Sequence, residues 1–153
     1  MMRLKKLILM CMLMLPISMT AQKETYDWSK VIDAIIQVES KGNAKAHNPN
    51  GDCAGILQIT PILVKECNDI LKSRKSTKRY TYDKKGKTRS SKWDDRYSVK
   101  KSKEMFVLLQ EHFNPEHNIE KAIRCWNSGF YGDWKHRSGE YYRKVMKYYN
   151  GGS

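Results

Sequence analysis

Apolar residues return every three or four positions in five separate stretches of this chain, and that period commits it to packed helices. In the first stretch Trp28, Ile32, Ile35 and Glu39 share one helical stripe, with Asp27 placed to cap its start and Gly42 to end it. The second opens at Thr60-Pro61, a hydroxyl cap followed by proline at the helical position where its missing donor is not needed. Leu63, Cys67, Ile70 and Leu71 give it an inward face. Ser98 can cap a third, with Val99, Ser102, Phe106, Leu109 and Phe113 on one side and Asn114-Pro115 breaking it. A fourth runs from about Ile119 to Trp126 and is ended by Gly129; a fifth runs from about Gly139 to Tyr149 and is ended by Gly151-Gly152. At 153 residues and 40% hydrophobic, the chain can bury one core and not two, so a single, mainly α domain is expected.

Two segments stand outside this pattern. Residues His47 to Gly55 are a loop by their Asn, Gly, Pro and Asp content, and Ile56 to Thr60 form a short apolar segment after it. From Lys72 to Arg96 aliphatic residues vanish and Lys, Arg, Ser, Thr and Tyr take over. This 72–96 insertion is expected to be either a small β-hairpin around Tyr80 and Tyr82, with Lys85-Gly86-Lys87 at its tip, or an irregular basic excursion. Its cations beside Tyr80, Tyr82 and Trp93 suit an anionic wall polymer or stacked bases, and equally a plain solvated insertion.

The first 21 residues have the order of an export signal: basic Arg3, Lys5 and Lys6, an apolar run from Leu7 to Leu15, and a small-residue cleavage site at Met19-Thr20-Ala21. The run is shorter than the roughly 20 residues that span a bilayer, so a cleaved signal peptide (1–21) and a mature domain (22–153) are expected, with no transmembrane span after its removal. The expected location is the periplasm or the cell exterior. Net charge is +13, and the signal's three cations account for only three of it. Such a surface attracts polyanions, and export disfavours nucleic acid as the partner. Cys53, Cys67 and Cys125 remain past the signal, enough for one internal bridge at most, and none has the spacing of a metal site. No metal or cofactor is expected.

Glu39 is the residue that invites a chemical reading. A carboxylate on an apolar stripe, near the C-terminal end of its helix, is disfavoured in its charged form by burial and by the helix dipole alike. A carboxylic acid still protonated near neutral pH is what general-acid cleavage of a glycosidic bond requires. No second carboxylate is placed to face it: Asp52, Asp69, Asp94, Asp95 and Asp133 all lie at undefined positions. A two-carboxylate glycosidase is therefore disfavoured, and a single acid suffices where the substrate's own 2-acetamido group supports the developing positive charge.

Four motifs in order carry a family resemblance. "VESKGNAKA" resembles the catalytic glutamate-serine motif of the lytic transglycosylases, relatives of the goose-type lysozymes. "GDCAGILQITP" is similar to their glycine, apolar pair, glutamine and proline run. "CWNSG" resembles their alanine-tyrosine-asparagine-alanine-glycine motif, and "YYRKVM" their tyrosine followed by a lysine-valine pair. There are departures: Trp126 replaces a tyrosine, Cys125 a small residue, Ser98 and Ser102 an asparagine and a glycine, and the loop from Gly51 to Gly55 is one residue longer.

The resemblance implies a lysozyme-like fold and cleavage of the bond between N-acetylmuramic acid and N-acetylglucosamine in peptidoglycan glycan strands, leaving a 1,6-anhydro end. Glu39 would be the sole acid and then base, and Ser40 would orient it by hydrogen bonding. Gln58 would bind substrate beside the cleavage point, its amide suited to N-acetyl and hydroxyl groups. Asn127 and Tyr141 would shape the pocket, and Trp126 would either stack on a sugar or pack beneath the cleft. Cys53, paired with Cys67 or Cys125, would pin its loop near the site. Small relatives also serve cell-envelope secretion or conjugation apparatus. The alternatives are a hydrolytic muramidase on the same fold and, from another class, an inactive cationic wall-binding module.

Overall fold

The computed structural model describes residues 25–84 and 89–152. The five expected helices form: α1 (Ser29–Glu39), α2 (Pro61–Ser73), α3 (Val99–Phe113), α4 (Ile119–Ser128) and α5 (Gly139–Tyr149). Their ends follow from local chemistry. Thr60 Oγ1 accepts from the Leu63 amide, Ser98 Oγ from the Lys101 amide and Asn118 Oδ1 from the Lys121 amide, each satisfying a donor that the first turn leaves without a partner. Asp27 acts one step early: its carboxylate accepts from the Ser29 amide at 2.9 Å, and Trp28 stands at the cap position itself. The first helix leaves through Lys41 and Gly42, both at positive φ.

α1 packs on α5 and α4, while α2 packs on α3. Ile35, Leu57, Phe106, Leu109, Ile123 and Val145 are fully buried at the centre, each worth roughly 1.5–3 kcal/mol relative to exposure. Trp28 and Trp126 both contact the ring of Phe106. Val99, expected on the inner face of α3, is exposed instead, because the helix turns Met105 and Leu108 inward with Ser102 and Phe106.

A hairpin exists, but not at Tyr80. It joins β1 (His47–Asn48) to β2 (Cys53–Ala54) within the loop, with His47 opposite Ala54 and Asn48 opposite Cys53. Ala54 also exchanges backbone bonds with Ile59, folding Gly55–Gln58 into a tight turn. The 72–96 insertion is irregular: among its described residues there is no strand, and the expected tip, Lys85-Gly86-Lys87, lies outside them. It is nonetheless stitched down. Asn68 on α2 accepts from the Tyr80 amide and donates to its carbonyl, and Tyr80 is buried. Thr81 pairs with Asp95 through both backbone and carboxylate, and Asp94 accepts from the Asp83 amide. The insertion ends in a short 3₁₀ turn, Asp95–Tyr97, that leads into α3. The expected signal segment, 1–21, lies outside the described residues. Among the described residues no helix is long and apolar enough to cross a membrane.

Candidate active site

Glu39 is the last residue of α1 and is half-buried. Burial raises its carboxyl pKa above the ordinary value, and a hydrogen bond from Tyr141 pulls the other way. That bond is short: Tyr141 Oη lies 2.6 Å from Glu39 Oε1, bringing α5 against the end of α1 across 102 positions of sequence. The Tyr141 phenol is itself pushed far above its usual pKa, by burial and then by the Glu39 charge, so it stays a donor. Here the expectation for Tyr141 gains a specific content, a bond to the glutamate itself.

Ser40 does not orient the carboxylate. Its Oγ donates to the Ile56 carbonyl at 2.7 Å and, more weakly, to the Ile36 carbonyl at 3.4 Å. A side chain that follows the last helical residue lies nearest the helix's own free carbonyls and the loop packed across them. Ser40 therefore fastens the Gly55–Gln58 turn to the end of α1.

Gln58 sits in that turn at φ 49, a left-handed conformation that costs a non-glycine residue energy and persists only where the surroundings impose it. Its Nε2 donates to the Gly55 carbonyl at 2.9 Å, and the side chain is half-buried. Its Oε1 and second amide hydrogen have no partner in the turn, the capacity that a sugar amide or hydroxyl would take.

Trp126 is 6% exposed, and its Nε1 donates to the Leu57 carbonyl at 3.2 Å. It packs in the core under the Gly55–Gln58 turn; stacking on a sugar is closed to it, because its faces are spent on the core and on Phe106. Asn127 is exposed, and its Oδ1 accepts from Ser138 Oγ at 2.8 Å, joining α4 to the start of α5. Val38, Asn127, Ser138, Glu140, Tyr141 and Lys144 line a cleft of about 410 Å³. A larger groove, about 760 Å³, lies at the opposite end of α1 from Glu39, between Trp28, Tyr80 and α3. Size therefore does not identify the site; the chemistry does.

The three cysteines among the described residues are free, so Cys53 pairs with neither Cys67 nor Cys125. Cys67 points into the core, its Sγ 3.8 Å from the Met105 carbonyl, and burial pushes its pKa up to about 12. Cys125 is buried on α4. Cys53 remains in the loop, its thiol pushed up by partial burial and then by the nearby Glu39 and Asp52 carboxylates. The unplaced aspartates are now placed: Asp69 pairs with Lys65, Asp95 with Lys101, Asp133 with His136, and Asp94 with the buried Arg96. Asp52 faces Arg96 Nη1 at 3.5 Å and His47 Nδ1 at 3.9 Å. Among the described residues no group of three or more His, Cys, Asp or Glu side chains is arranged to hold a metal ion.

At the end of α1 Tyr141 is thus bonded to Glu39, Ser40 and Trp126 tie down the turn that carries Gln58, and Asn127 lines a cleft beside Tyr141. Against known families, the model of the Transglycosylase SLT domain matches residues 16–85. Over that stretch the chain is similar to the lytic transglycosylases. The match contains Glu39, Ser40 and Gln58, and it fits the helical, lysozyme-like architecture with its small hairpin. Asn127 and Tyr141 lie beyond the matched residues, and they reach the site through the fold. No curated protein and no solved structure matches the chain.

Proposed function

We propose that the domain cleaves the β-1,4 bond between N-acetylmuramic acid and N-acetylglucosamine, with Glu39 as the only catalytic acid and base. The observation that carries this is the Glu39 carboxyl itself: half-buried, raised in pKa, and bonded to a phenol that always donates.

In the first half of the reaction, protonated Glu39 delivers its proton to the glycosidic oxygen as the bond to the muramyl C1 breaks. The substrate's 2-acetamido group supports the positive charge that develops at C1. Glu39 is now a carboxylate in a poorly solvated place, and the Tyr141 hydroxyl is positioned to stabilise it. In the second half the carboxylate takes the proton of the muramyl 6-hydroxyl as that oxygen closes onto C1. The product is a 1,6-anhydro end, and Glu39 is protonated again. Gln58 supplies an amide to the sugars beside the bond, and Asn127 borders the cleft. The basic and apolar character of the first 21 residues supports export, and with it action in the periplasm or outside the cell.

The test is mass spectrometry of peptidoglycan digested by the purified protein. Anhydro-muramyl ends are expected, and Glu39→Gln is expected to release none while still binding the polymer. Reducing ends instead would make the protein a hydrolase, and undiminished digestion by Glu39→Gln would remove Glu39 from the mechanism. Binding without digestion by the wild-type protein would make it a wall-binding module.

A further inference from the structure

We propose that Arg96 is a positioning residue for this site, holding the Asp52–Ile59 segment in the one arrangement that presents Gln58 beside Glu39. This rests on the reading of Glu39 and Gln58 given above. The 72–96 insertion then has a purpose beyond charge: its end delivers an arginine beneath the catalytic loop.

Arg96 ends a strongly basic stretch, yet it is 1% exposed. Taking a guanidinium out of water is costly unless its donors are engaged, and here each of its three nitrogens makes at least one hydrogen bond. Nε and Nη2 form a fork onto Asp94, itself 1% exposed, at 2.9 and 2.7 Å. Nη1 donates to the Asp52 carbonyl at 2.6 Å and, at 3.4 Å, to the Ile59 carbonyl. The Tyr82 ring lies beside the guanidinium, 5.6 Å from its carbon. The two carbonyls bracket the turn that contains Gln58.

The backbone of Arg96 makes a third contact with the same segment. A Cβ on Gly55 would lie 1.7 Å from the Arg96 carbonyl oxygen, so the two backbones touch with no room between them. That carbonyl is fixed from behind by Ser102 Oγ at 2.8 Å. Arg96 therefore meets the segment at residues 52, 55 and 59, while Ser40 holds the Ile56 carbonyl and Trp126 the Leu57 carbonyl. A left-handed Gln58 needs such over-determination to persist. An apolar side chain of similar volume would fill the same space, and a buried ion pair is rarely the more stabilising choice. What an apolar residue could not do is donate to two loop carbonyls at once.

The test removes the pair together, as Arg96→Met with Asp94→Asn, so that Asp94 is not left as a buried unpaired charge and the Asp83 amide keeps an acceptor. Arg96→Lys, which retains the charge but not the fork, is measured beside it. Amide hydrogen exchange is followed at Ala54 and Ile59, which bond each other, and at Ile35 and Ile36 in α1. With the fold retained, protection at Ala54 and Ile59 is expected to fall at least tenfold while α1 is unchanged. On soluble glycan fragments kcat is expected to fall at least tenfold, more than KM rises, with Arg96→Lys intermediate in both readouts. Unchanged exchange and kcat in the folded double variant would overturn the proposal, as would an equal loss of protection in loop and helix. Should the double variant not fold, Arg96→Lys decides by the same criteria. The exchange measurement does not depend on cleavage, so a failure of the proposed activity in the wild-type protein is told apart from a failure of the pin.

Discussion

Replacing Tyr141 by phenylalanine removes one oxygen and leaves the ring, and the structure fixes what should follow. The lost bond, 2.6 Å from Tyr141 Oη to Glu39 Oε1, is far stronger to the carboxylate than to the neutral acid. A hydrogen bond to a charged group contributes roughly 1.5–3 kcal/mol, and about 1.4 kcal/mol is a factor of ten in rate. The carboxylate exists midway through the proposed reaction, so kcat should fall roughly 10- to 100-fold. The pH profile should also move, and its direction is the sharper test. Burial raises the Glu39 pKa and Tyr141 lowers it, so without the hydroxyl the pKa rises further. The alkaline limb of kcat/KM marks loss of the acid's proton, and it should therefore shift to higher pH in Tyr141→Phe. The assay is release of soluble fragments from peptidoglycan between pH 4 and pH 9. A limb that stays fixed or moves to lower pH would refute the view that Tyr141 acts by stabilising ionised Glu39.

The same balance predicts stability. A carboxyl whose folded pKa lies above its unfolded one supports the fold fully below the unfolded value, and that support is lost as pH rises through the folded pKa. Glu39→Gln should thus stabilise the protein at pH 8 relative to wild type and show no such gain at pH 4; urea titrations at the two pH values check this. Gly55→Ala should cost roughly 4 kcal/mol or more, because its Cβ would overlap the Arg96 carbonyl and its φ of 78 suits glycine, with chemical denaturation as the measure. Ser40→Ala should cost about 1 kcal/mol of stability and lower kcat more than affinity, since it frees the Ile56 carbonyl at the end of α1; steady-state kinetics separates the two.

The helices were legible in the sequence because their signals are local. The Thr60 and Ser98 caps and the span of α5 depend on neighbours within one turn, and an apolar period reports its own inner face. Glu39 was legible for the same reason, as a carboxylate sharing a stripe with Trp28, Ile32 and Ile35. The hairpin was not, since two-residue strands carry no alternation and their residues read correctly as loop. Ser40 was assigned to the site with the wrong partner, because its true one, the Ile56 carbonyl, is backbone and leaves no mark in composition. Trp126 left two possibilities open, which burial and the Leu57 carbonyl decide. Arg96 was invisible altogether: in the row of residues it is one more cation at the end of a basic run.

That last failure shows how the site is built. The groups proposed to touch substrate sit at chain positions with recognisable patterns, whereas the groups that hold them act through carbonyl oxygens contributed by residues of almost any type. Ser40, Arg96 and Trp126 each donate to a carbonyl of the 52–59 segment, from α1, from the insertion and from α4. A loop bonded in this way keeps its shape while its own side chains vary, provided the three donors and Gly55 remain. Substituting Cys53 or Asn50, whose side chains make none of these bonds, should therefore disturb the site less than moving any one donor, though Cys53 lies nearer to Glu39 in sequence than Arg96 or Trp126 does.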